Sequence, residues 1–167
     1  METLQPDYQW KAIPHRAVGY RKRDGEIVVS TDTDVSWKLG GGGFISNIDD
    51  MAKFAVGLLN HRFVKPATRQ KMWTPQKTNA GHQLGYALGF SRNHYRDGAL
   101  QSWKPSGTGI EAVGHGGGQE KTRTYMVILP EQRQAAVVMT NSENGNSKRI
   151  AERLLQVMRP TAPKPAE

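Results

Sequence analysis

The chain has 167 residues, 37% hydrophobic and 23% charged, enough for one domain with a sizeable core and too few for a second full domain. It contains no cysteine, which excludes disulfides, thiolate zinc sites and a cysteine nucleophile. The net charge of +8 would suit a nucleic acid, but Arg21-Lys22-Arg23, Lys121 with Arg123, and Lys148-Arg149 are scattered and carry no interleaved aromatics; the surplus reads as solubility, with no nucleic-acid partner expected.

No window approaches the roughly 18 consecutive apolar residues that a membrane span needs, so no membrane partner is expected. The start, Met1-Glu2-Thr3-Leu4-Gln5-Pro6, lacks the apolar core of a secretory signal, and the chain as written reads as cytoplasmic. Residues 1–18 contain Pro6 and Pro14 and show little periodicity, which predicts an irregular entry segment. Gly19 to Arg23 and Glu26 to Val29 flank Asp24-Gly25, a dipeptide that favours a tight hairpin turn. The run Gly40-Gly41-Gly42-Gly43 is unsuited to the interior of a regular element.

After the glycines, Ser46 is the expected N-cap of a helix, with Asp49 and Asp50 in its first turn where the dipole favours negative charge. Met51, Phe54, Ala55, Leu58 and Leu59 repeat at helical spacing as far as Asn60. A shorter helix is predicted from Pro66 to about Trp73, before Pro75. Residues 86–91 alternate weakly, and residues 93–108 are polar and suit a loop or a hairpin tip. Residues 124–129 and 135–140 are apolar runs around Pro130-Glu131-Gln132-Arg133, which predicts an antiparallel pair of central strands. Ser147 is expected to cap a last helix whose apolar face is Ile150, Leu154, Leu155 and Met158, and the Pro-rich residues 160–167 predict a flexible tail.

Three stretches stand out together. The first is the glycine run with Phe44-Ile45-Ser46, leading into Asp50-Met51-Ala52-Lys53-Phe54. The second is Met72-Trp73-Thr74-Pro75-Gln76 followed by Gly85-Tyr86-Ala87-Leu88-Gly89-Phe90. The third is His115-Gly116-Gly117-Gly118, followed by Leu129-Pro130-Glu131 and Thr140-Asn141. In this order the chain resembles the serine β-lactamase and penicillin-binding-protein family, in its class C and esterase-like branch, from about Gly19 to Met158.

The resemblance implies an α+β fold, a partial β-lactamase-like domain whose antiparallel sheet has about three of the family's five strands, packed with helices. Residues 1–18 would be an entry segment, 19–159 the C-terminal part of the domain and 160–167 the tail. The strand at 135–140 would lack the N-terminal strands it normally pairs with, leaving an apolar edge open to a second copy or to the missing N-terminal half. The motif at His115 reads Lys-Thr-Gly or His-Thr-Gly in much of the family, with His-Gly-Gly a known variant. It implies a catalytic role for His115, as donor or positive charge beside the substrate, and substrate binding along Gly116, Gly117 and Gly118. No cofactor or metal is implied.

Plainer readings stay open beside this one. A lone histidine is more often structural, and a glycine run is usually a turn. A phosphate cradle would need a helix after it with Lys-Ser or Lys-Thr at fixed spacing, and here a strand follows Glu120-Lys121. The other histidines, His15, His61, His82 and His94, have no metal-ligand spacing and read as surface residues.

The family's nucleophile is a serine followed three residues later by lysine. Three residues beyond Ser30, Ser36, Ser46, Ser91, Ser102, Ser106, Ser142 and Ser147 lie Thr33, Leu39, Asp49, His94, Pro105, Gly109, Gly145 and Ile150, none of them lysine. No tyrosine before the glycine run precedes asparagine by two residues, and Ser91-Arg92-Asn93 lies too far downstream to be that motif. The expectation is the C-terminal part of a serine hydrolase that cleaves an amide or ester of a small-molecule or peptide substrate through an acyl-serine, inactive alone. Family members are often periplasmic or secreted. The alternatives are a non-catalytic binding or assembly module for cell-wall peptides, and one half of a split hydrolase.

Overall fold

The structure is a computed structural model that describes residues 1–31 and 33–158; the tail expected over 160–167 lies outside the described residues. In chain order the first half contains β1 (Gln5–Pro6), β2 (Tyr20–Arg23), β3 (Glu26–Val29), a 3-10 turn (Ser36–Gly41), β4 (Phe44–Ile45), α1 (Ile48–Leu59) and α2 (Pro66–Trp73). The second half contains β5 (Ser91–Arg96), β6 (Ala99–Ser102), β7 (Ile110–Gln119), β8 (Thr122–Leu129), β9 (Gln134–Thr140) and α3 (Ser147–Met158).

The main sheet is antiparallel, in the order β6-β5-β7-β8-β9. Strand alternation sends one set of side chains to each face. On one face Ile110, Ala112, Val127, Leu129, Ala136 and Val138 pack with Ala151 and Leu155 of α3. On the other, Val113, Met126 and Ile128 pack with Ala55, Leu58 and Leu59 of α1 and Trp73 of α2. The result is a sheet between helices. β7, β8 and β9 are the expected strands; the polar hairpin β5–β6 adds two more, where a loop or hairpin tip was the reading of residues 93–108. Tyr95 and Leu100 reach the apolar core, while on β5 the buried Asn93 amide and His94 Nε2 are hydrogen-bonded to Ser91 O and Lys104 O.

Several local expectations change. The N-cap of α1 is Asn47 and not Ser46: its side chain accepts from Asp50 N–H at 2.9 Å. Asn146, one residue before Ser147, caps α3 by accepting from Arg149 N–H at 3.1 Å, while Ser147 is buried as the first helical residue. Gly40 and Gly41 end the 3-10 turn, and only Gly42 (φ 125°) and Gly43 leave it. Gly43 must be glycine because a Cβ there would lie 2.6 Å from Val35 O.

The entry segment is tied down despite its irregular backbone. β1 pairs with β4, and buried Asp50 accepts from Thr3 N–H at 2.6 Å and Thr3 Oγ1 at 2.8 Å. The β2–β3 hairpin forms as expected, with Asp24 (φ 51°) and Gly25 (φ 92°) making its turn.

The face of α3 also differs from the reading. Leu155 is fully buried with Ala151, whereas Ile150, Leu154, Val157 and Met158 are exposed. Lys148, Glu152 and Gln156 bond Leu100 O, Leu100 N–H and Gly98 O on the β5–β6 side. At about 100° per residue the apolar stripe is on the opposite flank, toward β9. Among the described residues β9 pairs with β8 on one side, and Tyr20 bridges Ser142 just past its end; along Gln134–Thr140 the outer edge has no strand beside it and is bordered by that stripe.

Candidate functional site

The site forms where one strand outruns its neighbour. β8 pairs with β7 all the way to Gln119, but β5 stops opposite Gly114. From His115 to Gln119, β7 therefore has an edge not covered by β5, and three of its five residues carry no side chain. Along such an edge alternate backbone N–H and C=O groups point outward and can bond an extended ligand.

Register decides which face each group occupies. His115 lies opposite Met126, whose side chain packs with α1 and α2, so the imidazole is on that face. Ser91 lies opposite Gly114 and shares the α3 face, away from His115. The Ser91-Arg92-Asn93 pattern is thus the start of a strand, with Asn93 buried and its amide directed at Ser91 O.

The structure brings to His115 a residue to which the sequence reading gave no role. Tyr86 Oη is 3.0 Å from His115 Nε2, and the rings meet edge to face with centroids 6.1 Å apart. The local fold explains the aim of Tyr86. Ala87 and Phe90 are buried, Phe90 edge-on to Trp73, and Ala87 N–H bonds Phe90 O at 2.8 Å. Gly89 (φ 80°) permits this reversal, and Gln76 N–H holds Tyr86 O at 3.0 Å. The tight turn buries two residues and turns the phenol outward. A tyrosine next to a glycine turn is the signal that was available; nothing in the spacing said where the turn would point.

Neighbours in β8 account for part of the glycine pattern. A Cβ on Gly114 would collide with Met126 O, and one on Gly117 with Thr124 Oγ1. Gly118 has only ordinary contacts, at 3.4 and 3.5 Å, with the Arg123 side chain. Thr124, paired with Gly117, stands on the His115 face.

At the far end of the edge, Gln119 accepts from Lys38 Nζ at 3.1 Å and donates to Gly42 O at 3.3 Å. The first and third sequence stretches meet through this one side chain. Lys38 and Arg123, whose guanidinium bonds Gln119 O, make the end of the edge cationic. Of the other histidines, His94 is buried, contrary to its reading as a surface residue: its ring stacks on Trp103 and its Nε2 is 3.2 Å from Lys104 O. Among the described residues no group of three His, Asp or Glu is arranged to hold a metal. Among them no serine side chain is hydrogen-bonded to the His115 ring or the Tyr86 hydroxyl, although Ser91 and Tyr86 are partners in an isolated antiparallel bridge.

The chain matches one family model, Beta-lactamase, over residues 10–157. The chain belongs to the Beta-lactamase family. Solved structures agree on the fold. A penicillin-binding protein from Bacillus halodurans superposes with a TM-score of 0.68 at 18% identity, covering 95% of this chain and 45% of that one. A D-stereospecific amidohydrolase from Streptomyces sp. gives 0.63 at 18% identity, covering 89% and 42%. FmtA from Staphylococcus aureus gives 0.63 at 15%, covering 90% and 37%. The chain spans less than half the length of these structures.

Proposed function

We propose that this chain is the C-terminal part of a serine hydrolase domain, forming one wall of a cleft whose nucleophile comes from residues outside it. The observation that carries the reading is the open edge of β7 from His115 to Gln119, in a Beta-lactamase family chain with no Ser-x-x-Lys. An acyl substrate lying extended along the glycines would bond the backbone there. A serine supplied from outside would attack its carbonyl, form an acyl-serine and release amine or alcohol, after which water would free the acid. His115 would donate to a substrate oxygen, and an N–H beyond the glycines would help hold the oxyanion.

The substrate class is an amide or ester, and the names of the matched structures, a D-stereospecific amidohydrolase and a penicillin-binding protein, agree with it. Histidine in place of lysine at position 115 favours a peptide or ester over a β-lactam. The same open edge favours a second reading, non-catalytic binding of an extended cell-wall peptide.

The completing half docks on the open edge of β9 and the apolar flank of α3, and a second copy takes that surface when the chain is alone. β9 carries no charged residue to oppose pairing, and Ile150, Leu154 and Val157 border it. The test is turnover of p-nitrophenyl acetate and nitrocefin. The chain alone is expected to hydrolyse neither faster than buffer, and the chain joined to a family N-terminal half with Ser-x-x-Lys is expected to gain activity. Turnover by the isolated chain would overturn the reading.

A further inference from the structure

We infer that Tyr86 is the positioning residue of the cleft wall: it holds His115 as the Nδ1–H tautomer, so that the imidazole presents an N–H donor to a substrate oxygen. The inference rests on the reading of β7 as the cleft wall.

The hydrogen bond between Tyr86 Oη and His115 Nε2, at 3.0 Å, occupies one ring nitrogen. No other described residue bonds the imidazole. Its direction follows from acidity. A phenol, with an ordinary pKa of about 10, is a better donor than a neutral imidazole N–H, and an imidazole nitrogen is a better acceptor than a phenol oxygen. Tyr86 O–H therefore donates to Nε2, and the ring proton of the neutral form sits on Nδ1. A histidine with no partner favours the reverse tautomer, so the tyrosine changes which nitrogen is the donor.

Packing supports a fixed geometry. Buried Ala87 and Phe90 flank the turn, Gln76 N–H and Arg92 N–H hold the carbonyls of Tyr86 and Gly85, and the ring of Tyr86 meets that of His115 edge-on. His115 itself is fixed by its place in a strand paired to β8. Both side chains are nevertheless solvent-exposed, so a ligand can reach the pair. A substrate oxygen on the cleft side then meets an N–H and not a lone pair, which selects an acceptor over a donor.

The test uses the full chain labelled with 15N, with two-bond proton–nitrogen correlations recorded at alkaline pH and His115 assigned by His115→Gln. The expected wild-type pattern has a protonated Nδ1 and an unprotonated Nε2; Tyr86→Phe, which keeps the ring, is expected to move the majority to Nε2–H. A wild-type ring protonated at Nε2, or a pattern unchanged in a folded Tyr86→Phe, would overturn the inference. Should that variant not fold, monofluorotyrosine in place of tyrosine, recorded just above neutral pH where its phenol keeps its proton, strengthens the donor and is expected to displace the His115 Nε2 resonance; no displacement overturns it as well. The readout involves neither turnover nor a nucleophile, so its failure leaves the hydrolase reading standing, and activity in the isolated chain leaves the tautomer result untouched.

Discussion

Asp50, at the start of α1, accepts two hydrogen bonds from Thr3, one from the backbone at 2.6 Å and one from the hydroxyl at 2.8 Å. They join the entry segment to the first helix across 47 residues of sequence. The Thr3 backbone bond is the main reason the Asp50 carboxyl is held at about 2 instead of its ordinary 3.8; burial opposes this, and the Thr3 hydroxyl adds to it. Because the folded value lies below the unfolded one, the stabilisation is present in full above about pH 4 and disappears as pH falls toward 2. Thr3→Ala keeps the backbone bond to Asp50 and removes the hydroxyl with its bonds to Asp50, Asn47 N–H and Ser46 Oγ; only the Asp50 bond depends on pH in this range, so the unfolding midpoint in urea should fall less steeply than that of the wild type between these pH values. Parallel pH profiles for the two proteins would contradict the assignment.

The glycines of β7 should differ sharply in tolerance. Gly114→Ala places a methyl against Met126 O and 3.2 Å from Val127 Cα, both backbone atoms of a central strand, and should cost about 1–3 kcal/mol in urea unfolding. Gly118→Ala meets only the flexible Arg123 side chain and should cost less than about 0.5 kcal/mol.

Adjacent leucines of α3 should likewise separate. Leu155 is 0% exposed and Leu154 is 42% exposed. Leu155→Ala should destabilise the monomer by about 2–5 kcal/mol. Leu154→Glu should leave monomer stability nearly unchanged but reduce self-association in light scattering, as should Met139→Lys, which adds a charge to the β9 edge. A stable wild-type monomer at high concentration would contradict the second-copy proposal.

Legibility in the sequence followed how local each determinant is. α1, α2 and the β8–β9 pair follow from period and punctuation, because Pro66, Pro75 and the Pro130 turn act within a few residues. The cap of α1 was misplaced by one residue, since Ser46 and Asn47 are both good caps and only the approach of Thr3, from far away in sequence, separates them. Helix periodicity identified an apolar arc on α3 but not which half of it the sheet covers. That depends on the side from which the β5–β6 hairpin arrives. The same holds at the site. His115 and the glycines are visible as a motif, whereas Tyr86 enters through a turn whose direction is set by burial of Phe90 against Trp73.

On the function proposed for it, the chain has a cleft wall and takes its nucleophile from outside. Intact-mass spectrometry after incubation with a fluorescent penicillin and with a fluorophosphonate tests it most directly. The isolated chain is expected to keep its unmodified mass with both reagents, and the chain joined to a family N-terminal half with Ser-x-x-Lys is expected to gain one adduct. A stoichiometric adduct on a serine of the isolated chain would contradict the claim.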